Sequence, residues 1–551
     1  MRTTMIWLVC ALIVLASVPV WCCTNLLVTK GASDDGSVMI TYTCDGRFHP
    51  HLDRTPAADY PPGDSLAIKR WGGEVKGWID QVEHTYAVVN LINEHQLAIS
   101  ETTFDGRPEL RNPDGLLHYW DLMQLALQRA RTAREAIDVI TDLVARYGYG
   151  STGESISIAD TEEAWILEII GPGPDSVNQG RVTDGALWVA RRVPDGYISA
   201  HANKARIGTF PLDDPDNCIY SEHVIEFAVE QGYYDPESGE PFRYNEAYCP
   251  SNPRNKRYAE ARVWSLFRRA APSMELSPDY HRAVPGAERY PLWIKPDKKI
   301  SLQDVFDLMR DHYEGTPFDM TQGVDAGPYG CPNRWRPMTW EVDSVAYAWE
   351  RPISTQQTGF SFVSQSRGWL PDKVGGVIWY GVDDTYTTCY VPLYCSIEGL
   401  PEPFTVGSYK AFSWESAFWV FNFVANFACL KFDYMYPEVK AVQDALEGQF
   451  IALQPAVDKT AGNLLESDPE LMRAYLTDYS VSAGEKVVRR WTELAEYLIA
   501  KYNDGYVAEE PGRPQPKGYP ERWLRAVLES RADDFRLPVV DSTADAGRLV
   551  D

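Results

Sequence analysis

The stretch Cys22-Cys23-Thr24-Asn25-Leu26-Leu27-Val28, running on to Lys30-Gly31-Ala32-Ser33-Asp34-Asp35-Gly36-Ser37, constrains this chain more than any other. It follows Arg2 and the apolar run Met5 to Val20, which read as the charged and apolar regions of a secretory signal. That run is too short and wrongly flanked to span a membrane. Val20 at −3 and a small Cys22 at −1 suit cleavage before Cys23. The new terminal residue would then hold a thiol nucleophile and, in its own α-amine, a general base. Such an amine has a pKa of about 7.7–8.0, close to working pH, where a base is most effective. The thiol, at roughly 8.5, is already partly thiolate there. A cysteine at +1 also fits a lipid anchor, but Trp21 and Cys22 are poor lipobox residues, and a lipidated amine could not act as a base.

The 551 residues carry a net charge of −26, which keeps a protein soluble and argues against nucleic acid or anionic membrane as partner. Length alone would suggest two to four domains, and a 44% hydrophobic content with 18 Trp supports a large core. Loss of the signal would leave eight of the ten cysteines: Cys23, Cys44, Cys218, Cys249, Cys331, Cys389, Cys395 and Cys429. None shows CxxC spacing, so a zinc or thioredoxin-type site is not expected. With Cys23 catalytic, seven remain and at least one other stays unpaired; an exported protein could form disulfides among them, in an order the sequence does not give.

Strands are expected at Thr24–Thr29 and Val38–Tyr42, then at Tyr86–Leu91 and Leu97–Thr102 around Asn93-Glu94-His95-Gln96. Helices follow at Tyr119–Ala130 and Ala133–Tyr147, the latter with a capping box, Thr132-x-x-Glu135, and an apolar stripe of Ala136, Ile137, Ile140, Leu143 and Val144. Strands return at Ser155–Ala159, Ala164–Ile169, Leu187–Arg192 and Tyr197–Ala202. Further helices are expected at Arg257–Arg269 and near Leu302–Tyr313, then strand-like sequence over Gly359–Tyr394. Beyond Ser413 the pattern is helical, ending in Arg522–Glu529. Ser413–Leu430 is apolar enough to raise a membrane span, but it carries Glu415, Asn422 and Asn426 and reads better as a buried helix. Strands, a helix pair, then strands again describe an α+β protein whose helices cover its sheets.

Several blocks together carry a family resemblance: Cys23-Thr-Asn-Leu-Leu-Val with Lys30-Gly-Ala-Ser-x-Asp-Gly-Ser, Thr152-Gly-Glu-Ser-Ile-Ser-Ile-Ala-Asp160, Val193-Pro-Asp-Gly196, His201-Ala-Asn203-Lys-Ala-Arg206-Ile207, Gly315-Thr-Pro-Phe-Asp319, Gly359-Phe-Ser-Phe-Val-Ser-Gln-Ser-Arg367 and Trp379–Tyr386. The chain resembles the dipeptidase A family of cysteine peptidases, N-terminal-nucleophile hydrolases related to penicillin V acylases and bile salt hydrolases. The resemblance implies a signal peptide over 1–22, a four-layer αββα sandwich over 23–400, and a mainly helical region over 401–551 packed on it. It also implies a mature chain starting at Cys23, secreted or periplasmic, without cofactor or metal, and acting on small peptides. Whether copies associate is left open.

By the same resemblance, Asp45 orients the new N-terminus, and Tyr42 stands where related enzymes usually have an arginine. Asn203 would give its amide to an oxyanion hole, and Thr103 a backbone N–H. Arg262 would lie beside the nucleophile and lower its pKa. Each has a plainer reading, as a strand-end aspartate, a turn residue or a surface arginine. His49-Pro-His51 puts two rings on one face, but no third ligand is placed to complete a metal set. Arg334 and Arg336, or Asp383 and Asp384, could read the termini of a dipeptide or be ordinary charges. The implied activity is dipeptide hydrolysis through an acyl-enzyme on Cys23. The alternatives are an amidase on N-acyl compounds of the penicillin V or bile salt type, and a binding protein whose Cys23 is half of a disulfide.

Overall fold

A computed structural model describes residues 23–174, 182–510 and 513–537, so the expected signal over 1–22 lies outside the described residues. Two antiparallel sheets dominate. The first joins β1 (Asn25–Val28) and β2 (Val38–Asp45) to strands from much later in the chain. The second begins with β3 (Arg54–Thr55), β4 (Val88–Val89), β5 (Ile92–Asn93) and β6 (Ala98–Thr103). It continues with β7 (Glu154–Ala159), β8 (Ala164–Ile170) and β9 (Leu187–Arg192). Then β10 (Ile198–His201) returns to the first sheet, β11 (Cys218–Tyr220) edges the second, and β12 (Trp293–Ile294), β13 (Thr358–Ser366), β14 (Val377–Val382) and β15 (Val391–Tyr394) complete the first. The orders are β12-β10-β1-β2-β13-β14-β15 and β11-β9-β8-β7-β6-β5-β4-β3.

The sheets pack face to face through β1 and β2 against β6 and β7. Every residue of β2, β7 and β8 is buried, because each of these strands has a covered face on both sides. Helices α1 (Tyr119–Arg129) and α2 (Ala133–Tyr147) cover the second sheet, and all five residues of the expected α2 stripe are buried. The expected capping box is half formed. Thr132 accepts from Glu135 N at 3.2 Å, but the Glu135 carboxylate reaches Arg131 N, one residue before the cap.

Other expected elements change length for local reasons. The strand at Tyr86–Leu91 shrinks to Val88–Val89, since Asn93 closes the next turn by accepting from His95 N and Leu97 N. The helix at 257–269 is instead α3 (Ala261–Ala270), preceded by a wide π turn over Lys256–Glu260. The helix after Leu302 is α4 (Leu302–Leu308) and stops short of Tyr313, whose φ is +65° and whose N–H is taken by Asp311.

Helix α4 packs Phe306 on Trp379 and Tyr390 of the first sheet. The apolar stretch after Ser413 becomes α5 (Ala417–Ala428), buried on most of its surface, and Phe421 stacks on Trp491 at 4.8 Å. Among the described residues no helix is long and apolar enough to cross a membrane. Two long helices follow, α6 (Phe432–Ser467) and α7 (Pro469–Tyr502), with Asp468 between them capping α7 through Leu471 N. Residue 400 marks no break in the packing: one apolar core includes Val391, Phe404, Phe421 and Trp491.

Two buried ion pairs fasten α6, one to Arg310 just after α4 and one to Arg367 just after β13. Arg310 grips Glu447 with both terminal nitrogens, at 3.0 and 2.6 Å. Arg367 grips Asp458 at 2.5 and 3.1 Å, and Tyr394 donates to the same carboxylate. Removing one member of such a pair strands the other in a low-dielectric site, at about 3–5 kcal/mol. Glu447→Ala is therefore expected to lower unfolding stability by about that amount, and the isosteric apolar pair Arg310→Met with Glu447→Leu by clearly less. Denaturant midpoints of the three proteins check this ordering.

Candidate active site

Cys23 is buried at the head of β1, where the two leading strands part. Threonine hydroxyls take over part of the ladder there: Thr43 accepts from Thr24 N at 3.0 Å and Thr41 from Leu26 N at 2.8 Å, while Thr43 N still donates to Thr24 O at 3.1 Å. The Cys23 N–H points away from β2 and donates to Asn203 Oδ1 at 3.0 Å. Its sulfur lies 3.7 Å from Glu101 Oε1 and 3.9 Å from the Tyr42 hydroxyl.

Asn203 follows β10 with φ +62°, a left-handed backbone that non-glycine residues adopt mainly where the surroundings enforce it. Those surroundings are visible. The Glu168 carboxylate accepts from Arg206 N and Ile207 N, and the Arg206 guanidinium donates to Ala200 O, so the turn after His201 is tied at both ends. Asn203 Nδ2 donates to the Thr103 carbonyl at 2.8 Å. Thr103 therefore stands beside Asn203, with its carbonyl as the contacting group.

Arg262 lies in the first turn of α3 and is fully buried. The preceding π turn starts from a reciprocal cap, with Asn252 and Asn255 each accepting the other's backbone N–H. Arg262 Nη1 donates to Cys23 O at 2.6 Å and Thr24 Oγ1 at 2.8 Å. Nη2 donates to Ala202 O at 3.1 Å and Asn203 Oδ1 at 2.8 Å. These bonds fix the backbone of Cys23 and the face of the Asn203 amide.

Asp45, at the end of β2, accepts from Arg351 Nη2 at 2.5 Å and from Thr358 Oγ1 at 2.6 Å. Burial pushes its carboxyl up, against the pull of Arg351, Thr358 and Arg262. A bulge between Thr358 and Phe360 sets Thr358 at the required register. Sequence reasoning placed no role on Arg351, which lies in a stretch without periodicity.

The thiol's own neighbours are acidic or neutral. Tyr42, in the place of the expected arginine, makes a short hydrogen bond to Glu101 Oε1. Glu101 and Glu154 lie within hydrogen-bond reach of one another, and Thr103 Oγ1 donates to Glu154 at 3.0 Å. Burial raises both carboxyls, Glu154 well above the ordinary range because Glu101 faces it. Burial, the Cys44 thiol and Glu101 together push the Cys23 thiol well up. Glu101 could have been flagged, since Leu97–Thr102 otherwise reads as a core strand, whereas Glu154 lies one residue before the expected strand Ser155–Ala159 and joins it only in the structure.

The remaining candidates are placed elsewhere. His49 meets Ser416 Oγ and His51 meets Gly407 O, both on the segment leading into α5. Arg334 is tied to Asp325 and Met320 O, and Arg336 is exposed. Asp383 is held by Asn422 and pushed up to about 8 by burial, while Asp384 accepts from Ser354. His201, buried between Thr102 and Ser157 hydroxyls and pushed down to about 3, is a neutral core residue.

Comparison with known proteins agrees with the resemblance drawn from the blocks above. A "Probable dipeptidase" of Salmonella dublin is 26% identical over 393 residues, 68% of this chain and 80% of its own length. One of Latilactobacillus sakei is 25% identical over 412 residues, 69% and 76% of the two chains. "Dipeptidase A" of Lactobacillus helveticus is 23% identical over 505 residues, 84% and 92%. The profile of Peptidase family C69 matches residues 67–445, a span that holds Thr103, Asn203 and Arg262 and begins after Cys23. With most of its length covered by that profile, the chain belongs to peptidase family C69.

Proposed function

We propose that the protein is an exported cysteine dipeptidase that works as an N-terminal-nucleophile hydrolase, its facing sheets and outer helices forming the αββα sandwich of that superfamily. The observation that carries this reading is the bond from Cys23 N to Asn203 Oδ1, made by the same amide oxygen that Arg262 holds. That contact suits a backbone nitrogen destined to become a terminal amine. The family and the names of its relatives support the substrate class.

In the proposed reaction the α-amine takes the thiol proton and the sulfur attacks the scissile carbonyl. The amine returns the proton to the departing nitrogen, and water then cleaves the thioester by the reverse sequence. A thiol held neutral by burial and by Glu101 needs such a base at hand, since the thiolate is the nucleophile. The oxyanion would be met by Asn203 Nδ2 and a backbone N–H near Thr103.

Three outcomes are expected. The mature protein begins at Cys23 on N-terminal sequencing, and its thiol reacts with iodoacetamide at pH 7.5 far faster than that of a cleavage-blocked precursor. A mature terminus elsewhere, or equal rates, removes the amine as base. Asn203→Ala lowers kcat by about 10²–10³ with a smaller change in KM, because an oxyanion donor acts in the transition state. Among substrates, a free dipeptide has a kcat/KM at least about tenfold above its N-acetyl form and above phenoxymethylpenicillin. Faster turnover of either blocked substrate would instead identify an N-acyl amidase.

A further inference from the structure

Among the described residues, the carboxyl pair beside Cys23 has no cation of its own. Around Glu101 and Glu154 stand the Tyr42 and Thr103 hydroxyls, the Cys23 thiol and each other. Among the described residues no lysine, arginine or histidine forms an ion pair with either. Among the described residues, Oε2 of each glutamate is buried and accepts no hydrogen bond. One proton between the two carboxyls would leave the pair with a single negative charge. A buried charge is ordinarily paired, and one left alone is strongly unfavourable. In the structure Cys23 N donates to Asn203 Oδ1.

The substrate's geometry says what could fill it. In a dipeptide the α-ammonium is two bonds from the scissile carbonyl carbon, about 2.5 Å. An attacking sulfur stands about 3–3.5 Å from that carbon. The ammonium of a bound dipeptide is thus within about 6 Å of Sγ, and its carboxylate partner about 2.8 Å beyond or beside it. Glu101 Oε1, 3.7 Å from Sγ, falls inside this shell. The rival carboxylates fit less well. Asp45 is already paired with Arg351, and Asp383 is held by Asn422 and has no contact with Cys23 among the described residues.

We propose that the Glu101–Glu154 pair binds the α-ammonium of the dipeptide, and so selects substrates with a free N-terminus one residue from the cut. This rests on the dipeptidase reading and assigns its specificity to two residues. Tyr42 is then a positioning residue that orients Glu101.

The test compares the mature wild-type protein with Glu101→Gln on one cleavable dipeptide and its N-acetyl form. The wild type is expected to favour the free dipeptide by about tenfold or more in kcat/KM, and Glu101→Gln to bring the ratio close to one. Simple damage to the nucleophile lowers both substrates alike and keeps the ratio. A wild-type preference that Glu101→Gln retains overturns the carboxyl-pair assignment and leaves the dipeptidase reading standing. A wild type without the preference overturns both. Should Glu101→Gln not fold, the crystal structure of wild-type protein alkylated at Cys23 by an amino-acid chloromethyl ketone decides. An ammonium within about 3.2 Å of a Glu101 or Glu154 carboxyl oxygen supports the assignment. An ammonium on Asp383, or on backbone carbonyls alone, overturns it.

Discussion

One buried guanidinium holds the site together. Arg262 has five N–H donors in a rigid fork, and they meet Tyr258 O, Cys23 O, Thr24 Oγ1, Ala202 O and Asn203 Oδ1. Those acceptors belong to its own helix, the first strand and the turn after β10. A lysine could not serve three elements at once, since its ammonium is a point charge without the planar fork. The position of the Cys23 backbone and the orientation of the Asn203 amide are therefore one constraint.

The charges around Cys23 divide the labour. The cations, Arg262 and Arg351, act on backbone oxygens and on Asp45, while the face towards the sulfur is lined by Tyr42, Glu101 and Cys44. A cysteine activated by a neighbouring cation would need the opposite arrangement. With Tyr42 in place of an arginine, burial, Cys44 and Glu101 push the thiol up rather than down.

Legibility in the sequence followed locality. Helix α2 declared itself through a period-3.6 stripe and a threonine cap, and its bounds were those expected from the residues. Cys23 stood out because the residues before it read as a leader, and Asn203 and Arg262 because they sit in recognisable blocks. Arg351 was silent, because its partner Asp45 is brought to it only by the pairing of β2 with β13, and nothing local marks it. Glu101 gave a signal that went unused: a charged residue inside a strand buried on both faces. The π turn before α3 was also invisible, since hydrophobic periodicity reports which face is buried and not how many residues complete a turn.

The first sheet draws its strands from both ends of the chain, and this has a consequence for the order in which the site comes into being. β2 finds β1 almost at once, but its other neighbour is β13, and Thr358 joins Asp45 across 313 residues. Until those later residues have been synthesised, β2 has an open edge and Asp45 lacks both Arg351 and Thr358. Long-range pairing of this kind is slow to form. A nascent chain thus carries Cys23 and Asp45 early, yet Arg351 and Thr358, which hold Asp45, exist only once nearly two thirds of the polypeptide has been made.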